Sequence, residues 1–196
     1  MANQYFPAMD QIRKYFETLT PISDHDWQFF ASRLTRQEFP RKAMLLKTGQ
    51  TEDYLSFIEK GIVRFYIPKD EQEVTFSFSF ANEFVSGYDS FLRRTPSVYC
   101  METITETTLW RLTYADLQVI YDRTDVGDAI GRNASEGLYM EGLRREISLL
   151  TDTAEQRYLK LIEEQPRLMQ QIPLKYIASY IGITPQALSR IRKRIY

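Results

Sequence analysis

The spacing of the apolar residues changes twice along this chain, from helical to alternating near Gln37 and back to helical after Thr113. Two short helices are expected before Gln37, one on each side of Pro21. Between the two changes, runs rich in β-branched and aromatic residues predict strands, and turn residues separate them; the runs are residues 55–58, 62–67, 74–80, 99–104 and 108–112. Short strands at near-even spacing are typical of an antiparallel sandwich or barrel. The chain is therefore predicted to have an α+β fold with a jelly-roll-like β-domain.

Two further helices are predicted after Thr113, over residues 114–122 and 125–150. The second would be about 39 Å long at 1.5 Å per residue, which is more than a small domain needs. Its first apolar stripe contains Val126, Ile130, Ala134 and Leu138. Its second, shifted stripe contains Met140, Leu143, Ile147 and Leu150. Two apolar surfaces predict two partners, the chain's own β-domain and a second protomer. The alternative is a core helix that is broken at its glycines.

Charge is divided unevenly along the chain. Residues 166–196 contain six basic and no acidic side chains, whereas residues 1–165 contain 19 basic and 26 acidic ones. A basic segment beside an acidic body is the pattern expected of a protein that binds nucleic acid through one face. A solvated basic tail is the alternative.

The last residues fit two short helices with a three-residue turn between them. Pro173 suits the first position of the first helix, and Gly182 is expected to end it. The apolar stripe of this helix is predicted to be Leu174, Ile177, Ala178 and Ile181. Thr184 is a good N-cap for the second helix, which would begin at Pro185. This spacing predicts a helix-turn-helix.

The second helix has an apolar arc of Ala187, Leu188, Ile191 and Ile195. Arginine can pair with guanine and glutamine with adenine, whereas lysine suits phosphates. The predicted DNA-binding residues are Thr184, Gln186, Ser189, Arg190, Arg192, Lys193 and Arg194. An amphipathic terminal helix with a solvated basic face is the alternative.

Several classes of function are excluded by composition. With one histidine and one cysteine, the chain cannot supply an ordinary zinc or iron-sulfur ligand set or an internal disulfide. The histidine clusters of metal-dependent cupin-like enzymes are absent for the same reason, so neither enzyme activity nor a cofactor is predicted. The sequence shows neither a signal peptide nor a long apolar span, which predicts a cytoplasmic protein with no membrane partner.

Taken in order, the elements and the motifs GIVRFYI, NEFVSGYDSF and IASYIGITPQALSRI resemble those of the Crp/Fnr family of bacterial transcription regulators. The resemblance implies a double-stranded β-helix sensor domain over residues 1–122, a dimerisation helix over 123–152 and a helix-turn-helix domain over 153–196. It also implies a homodimer that binds double-stranded DNA and RNA polymerase. Family members usually add a β-hairpin wing after the second helix, and this sequence ends at Tyr196. The wing is therefore expected to be absent, through natural variation or truncation.

The same resemblance implies an effector pocket in the β-domain. Cyclic-nucleotide-binding members carry a glutamate at the position of Gly87, and an arginine and a serine or threonine at the positions of Ser97 and Val98. High-affinity cyclic nucleotide binding is not expected, because the charge-assisted contact of that arginine is missing. Candidate ligand-binding residues are Ser86, Gly87, Tyr88, Arg93, Arg94 and Tyr99. The alternative to a pocket is that the aromatic residues of this region form plain core. The alternative to a DNA-binding regulator is a dimeric sensor that acts through protein contacts without binding DNA.

Overall fold

The computed structural model describes residues 7–69, 72–124, 126–164 and 166–195. The chain begins with two helices, α1 (Pro7–Leu19) and α2 (Asp24–Ala31). The β-domain then contains β1 (Thr35–Phe39), β2 (Met44–Leu46), β3 (Tyr54–Lys60), β4 (Ile62–Lys69), β5 (Gln72–Phe80), β6 (Phe84–Val85), α3 (Tyr88–Arg93), β7 (Cys100–Thr103) and β8 (Thr107–Thr113). The remaining helices are α4 (Tyr114–Arg123), α5 (Gly127–Thr151), α6 (Ala154–Glu164), α7 (Pro166–Gln171), α8 (Leu174–Ile181) and α9 (Pro185–Ile195).

Two antiparallel four-stranded sheets form the β-domain, in the orders β1-β8-β3-β6 and β2-β7-β4-β5. The predicted antiparallel sandwich is thus confirmed, and each predicted run lies on an observed strand. Three strands were not predicted. β1 is almost entirely exposed and therefore lacks an apolar alternation, while β2 and β6 have only three and two residues.

Helices α1, α2 and α4 cover one end of the β-domain. Ile12 and Phe16 of α1 and Leu117 of α4 belong to one buried cluster with Phe57 of β3 and Trp110 of β8. The sequence pattern of these helices is amphipathic, and burying their apolar faces is what holds them on the sheet. This packing leaves α5 free to run along the β-domain.

Helix α5 is a single 25-residue helix, so the alternative of breaks at its glycines is wrong. The predicted first residue, Asp125, lies outside the described residues. Gly131 is explained by close packing, because a Cβ there would lie 2.8 Å from the Tyr121 hydroxyl oxygen. The second half of α5, residues 139–151, is largely exposed. No helix among the described residues is long and apolar enough to cross a membrane.

Helices α6 to α9 form a C-terminal domain that packs against the β-domain. Tyr158 of α6, Ile177 of α8 and Leu188 of α9 belong to one buried cluster, and Ile62 of β4 and Phe78 of β5 are part of the same cluster. The helix-turn-helix is therefore held directly on the β2-β7-β4-β5 sheet by shared apolar burial.

Candidate nucleic-acid interface and candidate effector cavity

The predicted helix-turn-helix is present at α8 and α9. Gly182 ends α8 with a left-handed φ of +81°, a conformation that favours glycine. Its amide donates to the Ser179 carbonyl at 3.1 Å, and the Ile183 amide donates to the Ala178 carbonyl at 3.0 Å. These bonds form a Schellman motif. The Thr184 hydroxyl then accepts the Ala187 amide at 3.2 Å, as an N-cap does.

Two details of α8 differ from the prediction. Pro173 is the N-cap and not the first residue of the helix, since its backbone is extended, with a ψ of 135°. Leu174 is 42% exposed and lies at a surface groove beside Pro185 and Leu188, outside the buried stripe. The first turn of the helix extends beyond the domain core, which periodicity alone does not reveal.

Helix α9 presents two chemically distinct faces. Leu188 and Ile191 are buried, and Ala187 and Ile195 are half-buried, as the apolar arc predicts. The opposite face is exposed and consists of Gln186, Ser189, Arg190 and Lys193. Because α9 contains no acidic residue, this face combines hydrogen-bonding groups with uncompensated positive charge.

The other two basic residues of α9 are placed differently. Arg194 donates to the Glu155 carboxylate of α6 at 2.8 Å, although its side chain is still 65% exposed. Arg192 is half-buried, and its Nε atom is buried without a hydrogen-bond partner among the described residues. Among the described residues, Arg190 and Lys193 are the basic residues of α9 that are both exposed and outside any ion pair.

Ser179 of α8 connects the helix-turn-helix to the edge strand β5. Its hydroxyl accepts the Thr75 amide at 2.8 Å and donates to the Glu73 carbonyl at 2.8 Å. The next residue, Tyr180, packs its ring 5.5 Å from that of Phe78. It also accepts a hydrogen bond at its carbonyl from Arg145 of α5 at 2.7 Å. One short stretch of α8 thus contacts both β5 and α5.

Arg64 of β4 is fully buried at the same junction. Its guanidinium lies between the rings of Tyr66 and Tyr176, at 4.1 and 3.9 Å from their centroids. It also forms ion pairs with Glu73 at 2.6 Å and Glu102 at 2.7 Å. Burial raises the pKa of Glu102, and the charge of Arg64 opposes that rise.

A cavity of about 550 Å³ lies between the β-domain and α5. Its wall is mostly apolar and contains the aromatic residues Tyr15, Phe16, Phe30, Phe65, Phe76, Phe78, Phe84, Tyr88, Tyr99 and Tyr121. Among the described residues that line it, the charged ones are Glu83 and Glu141, and none is basic. The size and apolar wall are those of a small-molecule site.

Three of the predicted ligand-binding residues, Ser86, Tyr88 and Tyr99, lie on the cavity wall. The Tyr88 hydroxyl is 3.2 Å from the Ser135 hydroxyl of α5 and so links the two sides of the cavity. The Tyr99 hydroxyl donates to the Asp89 carboxylate. Burial and that carboxylate raise the pKa of Tyr99, so its phenol stays protonated.

The other predicted ligand-binding residues face different surroundings. A Cβ on Gly87 would lie 2.5 Å from the Leu46 Cδ2 atom, so the backbone there is tightly covered. Arg94 donates to the Glu52 carbonyl at 2.6 Å and forms an ion pair with Asp53. Arg93 is the exposed last residue of α3. The structure does not gather these residues with Ser86, Tyr88 and Tyr99 into one cluster.

The residues at the family's phosphate-binding positions, Ser97 and Val98, also lie outside the cavity wall. The Ser97 hydroxyl is buried and donates to the Tyr99 carbonyl at 2.9 Å, whereas Val98 is 68% exposed. The buried Glu52 carboxylate lies 3.5 Å from the Gly87 amide. Burial raises the pKa of Glu52, and backbone amides, including that of Gly87, counter the rise. The carboxylate of Glu52 thus lies at the amide of Gly87, the N-cap of α3.

Glu83, Glu141, Arg64 and Ser179 were not singled out from the sequence. Glu83 lies within the turn after β5, and Glu141 is one of several acids on α5, so neither is distinguishable from a solvated charge by local pattern. Among the described residues, no group of three or more histidine, cysteine, aspartate or glutamate side chains could hold a metal ion.

Comparison with known proteins supports this architecture. Residues 36–124 match the model of the cyclic nucleotide-binding domain. The regulator CLP of Xanthomonas campestris is 18% identical at a TM-score of 0.68, over 88% of this chain and 91% of that chain. FixK2 of Bradyrhizobium japonicum is 14% identical at a TM-score of 0.73, over 83% and 84% of the two chains. A protein from Eubacterium rectale described as a transcriptional regulator of the Crp/Fnr family is 14% identical at a TM-score of 0.72, over 98% and 88%.

The fold is that of the Crp/Fnr family. The similarity covers the β-domain, the long helix and the C-terminal helical domain, so the predicted resemblance is confirmed at the level of fold. None of the curated proteins compared with this chain matches it. CLP is described as responsive to c-di-GMP, and another structure with the Crp/Fnr fold is the catabolite activator protein of Thermus thermophilus. At such low identity, what this chain binds has to be argued from its own residues.

Proposed function

We propose that this protein is a homodimeric transcription regulator that binds a palindromic DNA site with α9. The observation that carries the proposal is the exposed face of Gln186, Ser189, Arg190 and Lys193, which has no acidic residue and lies opposite the buried side of the helix. An α-helix of this kind fits the major groove, where its polar side chains reach base edges. The match of the fold to known transcription regulators supports the same conclusion.

Individual residues have different proposed roles. Arg190 and Gln186 would read bases, because their side chains can form two hydrogen bonds with guanine and adenine respectively. Ser189 would bond a neighbouring base edge. Contacts to phosphates would come from Lys193 and from Thr184 at the start of α9. Arg192, which is half-buried, and Arg194, which is paired with Glu155, would add weaker contacts.

A second copy of the chain would pair along α5. Met140, Leu143, Ile147 and Leu150 are 56, 37, 51 and 80% exposed, and they repeat at intervals of three and four residues. That repeat is the a/d pattern of a coiled coil, and such an exposed apolar stripe requires a partner. A two-fold axis along this stripe would set the two α9 helices about 34 Å apart, one turn of DNA.

The proposed division of labour follows the chain. Residues 1–122 would sense an effector, residues 123–152 would dimerise and residues 153–196 would bind DNA. RNA polymerase is the proposed protein partner at the promoter. No catalytic step and no resident cofactor are assigned, and binding promoter DNA would take place in the cytoplasm.

Selection of bound duplexes from a randomised DNA library tests this proposal. The full chain should enrich a palindrome with half-sites about 10 base pairs apart without any added ligand. Arg190→Ala should lose about 1 to 3 kcal/mol of binding free energy, mainly through one base position, whereas Lys193→Ala should weaken binding to all sequences and lower the salt dependence.

Three outcomes would contradict parts of the proposal. Equal binding of Arg190→Ala and the parent protein to every duplex would remove Arg190 from base recognition. Enrichment only in the presence of cyclic AMP would show that a cyclic nucleotide is the effector. If no duplex is enriched at low salt, either without ligand or with cyclic AMP, the protein does not regulate transcription by binding DNA. The dimeric sensor that acts through protein contacts then becomes the better account.

A further inference from the structure

The wall of the cavity between the β-domain and α5 has an unusual chemical composition. Aromatic rings supply most of it, and Glu83 and Glu141 supply its charge, with no basic side chain among the described lining residues. We infer that this cavity binds an organic cation with an apolar body. The binding site follows from the wall itself, whereas the ligand's role as an effector rests on the proposed function.

Charge complementarity is the first argument. Glu83 and Glu141 line the same cavity and repel each other, since the negative charge of Glu141 raises the pKa of Glu83. Burial is the larger cause of that rise, and a hydrogen bond from the Phe80 amide at 3.0 Å opposes it. Neither carboxylate has an ion-pair partner among the described residues. A cation in the cavity would relieve this repulsion.

Burial lowers the pKa of Arg145, and the charge of Glu141 opposes that fall, but the guanidinium of Arg145 is directed away from the cavity. Its guanidinium lies 3.8 Å from the centroid of the Tyr180 ring and donates to the Tyr180 carbonyl. It therefore belongs to the contact with α8, and the cavity keeps its negative charge.

Aromatic surface is the second argument. Tyr15 and Phe84 pack 5.1 Å apart on one side of the cavity, and Tyr99 and Phe76 also pack 5.1 Å apart within the wall. Aromatic faces attract cations and also bury apolar groups. A volume of about 550 Å³ accommodates a molecule of ordinary drug size.

Anions lack a comparable site here. Arg94 is committed to the Glu52 carbonyl and to Asp53, and the Gly87 amide faces the Glu52 carboxylate. The dimer stripe does not fill the cavity either, because Leu143 and Ile147 project from the opposite side of α5 to Ala134 and Leu138, which line it. The cavity is thus lined by neighbours of the family's phosphate positions but not by Gly87, Ser97 or Val98 themselves, and it lies on the other side of α5 from the proposed dimer contact.

Calorimetry on the full chain with two ions of the same size and shape tests the inference. Tetraphenylphosphonium should bind at least about tenfold more tightly than tetraphenylborate, because two carboxylates attract the former and repel the latter. Cyclic AMP should bind more weakly than tetraphenylphosphonium. The double variant Glu83→Gln/Glu141→Gln should lose at least about tenfold in affinity for the cation.

Two matched variants make the result specific. Glu136→Gln/Glu146→Gln removes the same charge from exposed positions on α5 outside the cavity, and its affinity should equal that of the parent protein. Ala134→Trp should abolish binding by filling the cavity, with folding checked by circular dichroism. Equal affinity for the two ions, parent-like binding by Glu83→Gln/Glu141→Gln, or parent-like binding by Ala134→Trp would overturn the inference.

DNA selection on the same preparation separates this inference from the proposed function. DNA binding without cation binding would overturn the inference alone. Cation binding without DNA binding would support the proposed binding site and contradict the proposed function as a DNA-binding regulator.

Discussion

Arg64 is the buried charge around which the junction of the two domains is built. Its guanidinium has two aromatic faces and two carboxylates as neighbours, yet its Nε and Nη1 atoms are buried without hydrogen-bond partners among the described residues. Removing a charge from water is costly, and here Glu73, Glu102 and the tyrosine rings offset that cost.

Truncating this side chain should therefore be severe. Arg64→Ala leaves Glu102 without its buried counter-charge and opens a gap beside Tyr176, so we expect the free energy of unfolding to fall by roughly 3 to 5 kcal/mol. Urea denaturation measures the change. Arg13→Ala removes an arginine from a surface pair with Glu17 and Asp24 and should have little effect. A similar small loss for both variants would contradict the role given to Arg64.

At the scale of elements, α5 has two apolar faces that make different contacts. One side lines the cavity and binds the β-domain, and the other side exposes the stripe of Met140, Leu143, Ile147 and Leu150. If the chain pairs along α5 as proposed, Ile147→Asp should be monomeric at micromolar concentration, because it places a charge in the centre of the apolar stripe. Sedimentation velocity measures this. Leu149→Asp changes a residue of similar exposure, 44% against 51% for Ile147, on the same helix but off the stripe, and should behave in sedimentation as the parent protein does.

The start of α4 shows how a local cap makes stability depend on pH. Thr113 and Asp116 form a capping box, and the hydrogen bond from the Thr113 hydroxyl, followed by that from Arg33, lowers the pKa of Asp116. A carboxyl with a lowered folded-state pKa stabilises the fold above its unfolded pKa of about 3.9, and this contribution is lost as pH falls through the folded value.

Thr113→Ala removes the cap and should cost about 1 kcal/mol at pH 7. The difference between parent and variant should be smaller at a pH well below the unfolded pKa of about 3.9 than at pH 7, because protonation of Asp116 removes its carboxylate from the capping box. Urea denaturation at the two pH values checks this. A difference that stays constant with pH would show that the hydroxyl stabilises α4 without acting on the carboxylate.

On the scale of the whole molecule, the C-terminal helical domain is docked on the β-domain through α8 and β5. β5 is the edge of its sheet, and Ser179 satisfies one amide and one carbonyl of that edge. Phe78 lines the cavity and also packs against Tyr180, so the cavity wall and the helix-turn-helix share a side chain. A ligand in the cavity would lie beside Phe78, and Phe78 is in direct contact with Tyr180 of α8.

Ser179→Ala should loosen this docking without unfolding either domain. Losing both hydrogen bonds leaves the Thr75 amide without its acceptor, and we expect its hydrogen exchange to become at least about tenfold faster. Exchange measured by mass spectrometry on β5 peptides reports this. Ser189→Ala removes an exposed hydroxyl from α9 and should leave β5 unchanged. Unchanged exchange in Ser179→Ala would mean that the Ser179 hydrogen bonds do not contribute to holding the two domains together.

Local patterns in the sequence were enough for most of the architecture. Alternation marked strands such as β5, and punctuation by Gly182 and Thr184 marked the helix-turn-helix, because periodicity and caps are encoded within a few residues. The same was true of the apolar and polar faces of α9. Where such signals were weak, as in the exposed strand β1 and the two-residue β6, the elements were missed.

Only the tertiary structure decided which residues share a site. Glu83 and Glu141 line one cavity although 58 positions separate them, and Ser179 bonds Glu73 across 106 positions. It also directed Arg94 away from the cavity and paired Arg194 with Glu155. The sequence by itself determined the elements and the face that each one buries. Which faces meet is set by the packing of the whole chain, since burial and electrostatic contact depend on distance in space and not on separation along the backbone.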